Sequence, residues 1–529
     1  MLDLIIRNGT VIDGTGAPGF RADVGISGDT IVQVGQAGAE AARTIDAAGK
    51  AVTPGFIDLH THSDLSFLLD PLADSKLTQG VTLELFGNCG MSFCAPLYGM
   101  ARVQFDEAVA RRGASVKATW TGFAGYLDAL AKARSTINIA TQVGHGTVRS
   151  AAMGMDARAP TPEELDRMVT LVAESLDAGA LGFSTGLWYA PGSYSLTEEV
   201  IALAQPAADR GLLYSSHVRS ESDDACGLFP AHAEAVEIGR RTGARVQISH
   251  VKAVGPKFWG RGKELPDGIE RARREGIDVA GDQYPYPWSS TSISGSMFPR
   301  WALAGGRATT LKRLADADVR ARVKQETAKF IARFHGPQGC VVAQSPGTNY
   351  EGASLAEISR DMRCEPEEAA MRLYEKGEGS MVLHSMEDAD VYAIARSPHV
   401  AVASDGSSLR TTGPLSSGKP HPRNYGTNSR FLEHMVREKK LVGIEEAVRK
   451  MTSLPAQRLG LARRGRITPG QVADVLVFDP AAVKQSATFA SPHAYSTGMD
   501  HVFVNGEAAL AKGKPTGATP GRVLRKKSD

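Results

Sequence analysis

Short apolar runs, four of which stop on a histidine or aspartate, set the tightest limit on how this chain can fold. Candidate strands are Phe56–His62, Thr82–Asn88, Ile137–Gly144, Ala180–Thr185, Leu212–His217, Arg245–His250, Ile277–Tyr284 and Val400–Asp405. Helical stretches lie between several of them. The clearest is Pro162–Ala178: Thr161 stands at its N-cap, Glu163 and Glu164 in its first turn, and Gly179 closes it. Glu198–Arg210 and His232–Thr242 read the same way. Strands alternating with helices predict an α/β fold with a parallel sheet. Eight such strands are the number a (β/α)8 TIM-like barrel needs.

The two ends of the chain read differently. Leu2–Ile6 alternates apolar and polar residues before a turn at Asn8-Gly9, and Asp23–Val34 reads as a hairpin. Such a unit cannot close a core alone. Val472–Phe478 and His501–Asn505 supply further strands, so residues 1–54 and 461–529 are expected to pair into one small β-sandwich around a barrel at 55–460. The basic, polar stretch Gly521–Asp529 reads as a frayed tail. Pro285 to His399 is too long for one crossover. The interval holds helical stretches in Leu311–Phe334 and an extra strand at Met381–His384, and an insertion at about 287–380 is expected over the active-site face as a lid.

The residues at the strand ends carry the chemistry. His60 and His62 share one face of an extended strand, so their imidazoles converge. Cys89 lies in Gly87-Asn88-Cys89-Gly90, and His217, His250 and Asp405 close the fifth, sixth and eighth strands. Taken singly, Cys89 reads as a small buried hydrophobe, His217 and His250 as satisfied core histidines, and Asp405 as a helix cap. In a parallel barrel all of these ends face one centre. Cys, His and His around one cation with a position left open describe a catalytic zinc site, and a nearby carboxylate, best Asp405, can move the protons of amide hydrolysis. Glu84 is out of place in the apolar second strand, and it either accepts from a ligand histidine or partners a Lys or Arg.

With a net charge of +2 the chain offers no basic surface for nucleic acid or an anionic membrane. Five cysteines are too few for a disulfide framework and suit a reducing cytoplasm. The N-terminus lacks a signal peptide, and no apolar run reaches the roughly 18 residues of a membrane helix. A small-molecule substrate is expected. Self-association into a homo-oligomer is left open.

Pro54-Gly55-Phe56-Ile57-Asp58-x-His60-x-His62-x-Asp64, with Gly87-Asn88-Cys89-Gly90, His217-Val218-Arg219-Ser220-Glu221, Ser249-His250-Val251-Lys252, Asp282-x-Tyr284, Ser404-Asp405-Gly406 and His421-Pro422-Arg423, resembles the amidohydrolase superfamily. Within it the chain is similar to the D-aminoacylase (N-acyl-D-amino-acid deacylase) family, and Gly-Asn-Cys-Gly is the discriminating motif. The resemblance implies a tight zinc held by Cys89, His217 and His250. It also implies a second, weaker or vacant position outlined by His60, His62 and Asp405, with Asp405 as general acid/base. Lys252 and Tyr189 match positions that meet the substrate carboxylate. Arg219 is a further anchor, with a salt bridge to Glu221 as its structural alternative. The implied reaction removes the acyl group from N-acyl-D-amino acids. Two rivals are a cyclic-amide hydrolase of the hydantoinase or dihydroorotase kind and a non-catalytic scaffold of the same fold. Gly182–Gly186, which lacks the bridging lysine usual in cyclic-amide hydrolases, weighs against the first, and an intact ligand set weighs against the second.

Overall fold

The computed structural model describes residues 1–36, 40–112 and 116–526. Parallel pairing carries strand Phe56–Asp58 to Val81–Phe86 and on to Asn138–Thr141. Beyond Gln142 the chain continues as Val143–Gly144, which pairs with Gly182–Gly186. Parallel pairing then runs through Leu213–His217, Arg245–Ile248 and Val279–Gln283 to Val400–Val402. The last segment returns to the first. Thr61 bridges Gly406 in parallel, the Asp405 N–H donates to the His60 carbonyl (2.9 Å), and the His62 N–H donates to the Gly406 carbonyl (2.7 Å).

Strands Val81–Phe86, Gly182–Gly186, Leu213–His217 and Val279–Gln283 are buried at every residue, as parallel strands covered on both faces must be. Helix Pro162–Ala178 has the expected bounds. The Thr161 hydroxyl accepts from the Glu164 N–H, and the Glu164 carboxylate accepts from the Thr161 N–H, a reciprocal cap. Its buried stripe is Met168, Leu171, Val172 and Leu176.

Several strands stop earlier than their sequence suggests. The ladder ends at Asp58, Ile248 and Val402, so His60, His62, His250 and Asp405 lie just past the strands. The backbone supplies the reason. Cys89 (φ +53°), His250 (φ +35°) and Asp405 (φ +50°) sit in the left-handed region, which breaks a β ladder. The convergence of His60 and His62 survives, with ring centroids 5.6 Å apart.

Strands from the two chain ends join in one nine-stranded sheet. Ala51–Pro54 is its hinge: it runs parallel to Leu2–Val11 and antiparallel to Val475–Phe478. Asn8-Gly9 is not a turn. The first strand continues to Val11, and Asn8 (φ +61°) is a bulge where the register with Phe20–Ser27 shifts. The expected frayed tail is also corrected as far as residue 526. Val523 bridges Ile139, the Leu524 N–H donates to the Ile139 carbonyl (2.8 Å), and Leu524 is buried. Residues 527–529 lie outside the described part.

The long interval holds an antiparallel three-stranded sheet of Trp288–Ser292, Ser380–His384 and Cys340–Gln344. Helices Arg307–Leu314, Ala317–Ala332 and Pro366–Lys376 accompany it. Phe298, Leu314, Val323, Leu355 and Met381 give it a core of its own. Among the described residues no helix is long and apolar enough to cross a membrane.

Candidate metal centre

The strand ends bring four donors together: ligand atoms of His60, Cys89, His250 and Asp405 all lie within 4.8 Å of one another. Cys89 Sγ is 3.3 Å from His60 Nε2 and 3.4 Å from His250 Nε2. Asp405 Oδ1 is 3.0 Å from His62 Nε2 and 3.4 Å from His60 Nε2. A second group, His217, Glu221 and His250, shares His250 with the first. The rings of His217 and His250 meet edge to face at 4.4 Å.

Glycines make the approach of these strands possible. A Cβ on Gly186, at the end of the fourth strand, would collide with the Cys89 carbonyl oxygen, and one on Gly90 would press on the Gly186 nitrogen. No side chain, and so no bridging lysine, can project from Gly186.

The charges describe a site built for a cation. Burial pushes the Cys89 thiol up, but the charges of His60 and His250 outweigh it and hold the thiol well below its ordinary range. Burial alone would strip His60 of its proton, yet Asp282 and Cys89 raise it well above the usual imidazole value. His62 is lifted in the same way, against burial, to about 9 by Asp405 and Cys89. The thiol and the carboxylates thus leave an excess of anionic donors around the two imidazoles. His217 is the opposite case: burial holds it low, and neither ring nitrogen has a hydrogen-bond partner. A buried neutral imidazole with an unused lone pair beside a thiolate fits a metal ligand.

The groups behind the donors were not assigned to the site by sequence reasoning. Asp282 Oδ1 accepts from the His250 N–H (2.7 Å) and lies 3.0 Å from His60 Nδ1, so one carboxylate orients two imidazole-bearing segments. Glu221 Oε1 lies 3.1 Å from His250 Nδ1 and 2.6 Å from Lys252 Nζ. Arg423 donates to Asp405 Oδ2 (2.8 Å) and faces the Tyr284 ring at 4.8 Å. Burial raises the Asp405 carboxyl, but Arg423 and the neighbouring imidazoles hold it well below the usual carboxylate range. All three residues stand inside recognisable motifs. What the sequence withholds is the distance across the loops.

Two cavities meet at this centre, and Asp405, Tyr189, Ser290 and Thr291 line both. Lys252 and His217 line the smaller one. Tyr189 is half-buried against the His217 ring (4.7 Å), its hydroxyl 3.0 Å from that of Thr291. Arg219 is placed elsewhere. It is clamped by Glu234 (2.7 and 2.9 Å), lines neither cavity, and does not pair with Glu221. Its expected part as a substrate anchor therefore gives way to a structural ion pair. Glu84 faces buried Lys76 (3.6 Å) and not a ligand histidine, which resolves its two readings.

The amidohydrolase family profile matches residues 43–212 and 399–509. N-acyl-D-glutamate deacylase of Alcaligenes xylosoxydans xylosoxydans is 39% identical over 99% of this chain and 97% of its own. D-aminoacylase of the same organism is 34% identical over 99% and 97%. The crystal structure of N-acyl-D-glutamate deacylase from Bordetella bronchiseptica, complexed with zinc and a phosphonate mimic of the tetrahedral intermediate, superposes with a TM-score of 0.83. It is 35% identical and covers 99% of both chains. By its closed run of parallel strands, its cysteine-containing donor cluster and these likenesses, the chain belongs to the amidohydrolase family, in the group of the D-aminoacylases and N-acyl-D-amino-acid deacylases.

Proposed function

We propose that the protein is a zinc-dependent hydrolase that removes the acyl group from N-acyl-D-amino acids, releasing a carboxylate and a free D-amino acid. The observation that carries this reading is the buried His60–Cys89–His250–Asp405 cluster, with orphaned His217 beside it, at the junction of two cavities. The N-acyl-D-amino-acid deacylases it resembles supply the substrate class. We read the parallel strands as one closed (β/α)8 barrel over residues 55–460, with the insertion at about 287–380 above its active-site face. Residues 1–54 and 461–529 form the small β-sandwich. The five free cysteines support a cytoplasmic location.

Cys89, His217 and His250 would hold the tight zinc, and His60, His62 and Asp405 a weaker second ion. When bound, zinc would polarise the scissile carbonyl and lower the pKa of the attacking water towards ~7. The chain's own residues do the rest. Asp405, kept ionised by Arg423, accepts the water proton and returns it to the departing amine. His62 fixes the other oxygen of that carboxylate. Lys252, buried and charged beside Glu221, presents an ammonium to the substrate carboxylate, and the Tyr189 hydroxyl adds a hydrogen bond. Cyclic-amide hydrolysis is disfavoured by Gly182–Gly186, which carries no lysine.

The test is deacylation of paired N-acetyl D- and L-amino acids, with acidic and apolar side chains, by protein of measured zinc content. Strong D preference at about one zinc per chain is the expected result. No turnover by zinc-loaded protein would discard the substrate class.

A further inference from the structure

The two cavities that share Asp405 differ in kind. The smaller, about 50 Å³, is lined by the buried Val254, Phe334 and Leu383, by Lys252 and Glu221, and by Ser289, Ser290 and Ser296. The larger is about 560 Å³. It begins at Cys89, His62 and Asp405, passes Leu65, Met91 and Phe93, and reaches Glu107 and Arg111, which are exposed to solvent. One face of helix Gly99–Arg111 forms part of its wall. Met100, Gln104 and Ala108, each four residues apart, all line it.

A scissile amide carries two substituents, and they leave the carbonyl in opposite directions. The smaller cavity, which carries the Lys252 ammonium, suits the carboxylate of the amino-acid portion. The other substituent must then lie in the open channel. Resting on the deacylase reading, we infer that this channel is an acyl subsite that takes an extended, uncharged acyl chain rather than acetyl alone. Leu65, Met91, Phe93 and Leu409 give it an apolar strip beside its polar lining residues, so the methylenes of a linear acyl group lying on that strip would leave water. Its outer mouth carries paired charges of both signs at Glu107 and Arg111, which favour neither an anionic nor a cationic chain end.

The experiment compares acetyl, butanoyl and octanoyl derivatives of one D-amino acid in the zinc-loaded enzyme and in Ala108→Trp, which narrows the channel far from the donor cluster. Octanoyl should exceed acetyl in kcat/KM by about tenfold or more, since burial of each methylene is favourable. Ala108→Trp should lose most of that advantage while its acetyl rate stays within about twofold of wild type. Gln104→Trp, one turn away on the same face, is the second narrowing variant, and circular dichroism and zinc content report folding for both. A steady fall from acetyl to octanoyl in the wild type would overturn the inference. So would an Ala108→Trp enzyme whose ranking of amino-acid side chains, not of acyl lengths, had changed, because the channel would then house the side chain. Turnover of acetyl substrates with failure on octanoyl overturns the acyl subsite and leaves the deacylase standing. Failure on every acyl derivative removes both.

Discussion

Glu84→Gln should stabilise this protein more as the pH rises. Glu84 is fully buried, neither of its oxygens has a hydrogen-bond partner, and burial pushes its carboxyl up from 4.5 to about 7 despite Lys76. Below pH 4.5 the carboxyl is protonated in both folded and unfolded chains, and burying it carries no charge penalty. Between 4.5 and 7 the unfolded chain ionises first, so the folded state loses ground as the pH rises; above 7 the loss is complete. The shift corresponds to about 1 kcal/mol at pH 5 and about 3 kcal/mol at pH 8. An unpartnered amide adds an offset of its own, but a glutamine does not titrate, so the pH-dependent part is the test. Lys76 does not depend on Glu84, because its ammonium donates to Asp58 Oδ2 and Ser404 Oγ, both at 2.7 Å. With an unfolding entropy of ~1.1 kcal/mol/K for a chain of this length, the melting temperature of Glu84→Gln minus that of wild type should rise by about 2 °C from pH 5 to pH 8. Paired thermal melts at the two pH values measure it. A difference that stays flat or falls with pH refutes the reasoning. Lys76→Met is the counterpart. It leaves two buried carboxylates uncompensated and should cost about 3–5 kcal/mol at pH 8.

Three further outcomes are expected. Asp405→Asn should cut kcat about a hundredfold or more while retaining tight-site zinc, measured by metal analysis beside steady-state kinetics; unchanged turnover would remove its role in proton transfer. Cys89→Ala should lose most of its zinc and its activity together, and a variant that keeps both would place the metal elsewhere. Lys252→Ala should raise KM about thirtyfold for substrates with a free carboxylate, from ~2 kcal/mol of charge-assisted hydrogen bonding. It should leave the KM of amidated analogues nearly unchanged, and equal losses on both would detach Lys252 from the carboxylate.

What the sequence revealed of this site follows a physical line. Cys89, His217, His250 and Asp405 could be picked out because each stands where an apolar run stops, and parallel strands gather their ends. Glu84 could be picked out because a carboxylate in an apolar run needs an explanation, but its partner Lys76 comes from a four-residue helix whose packing no local pattern announces. Asp282, Glu221 and Arg423 act through contacts of 2.6–3.1 Å made across loops. Arg219 shows the same limit in reverse: beside His217 in sequence, it turns to Glu234 on helix Leu228–Thr242. Asn8-Gly9 carries turn chemistry, yet the partner strand accommodates it as a bulge. Local propensity yielded there to the pairing on either side.

The pairing of Ala51–Pro54 with Val475–Phe478 has a consequence for biosynthesis. The two strands lie far apart in the chain and are synthesised at different times. At ordinary elongation rates, roughly 20 to 80 seconds separate the emergence of the first from that of the second. Throughout that interval Ala51–Pro54, buried at all its residues in the finished protein, presents an unfilled hydrogen-bonding edge to the ribosome's surroundings. The residues between them can begin to fold in the meantime, but this pairing must wait for Val475–Phe478. Chaperone occupancy on the nascent chain should therefore concentrate at that N-terminal edge and end when Val475–Phe478 clears the exit tunnel.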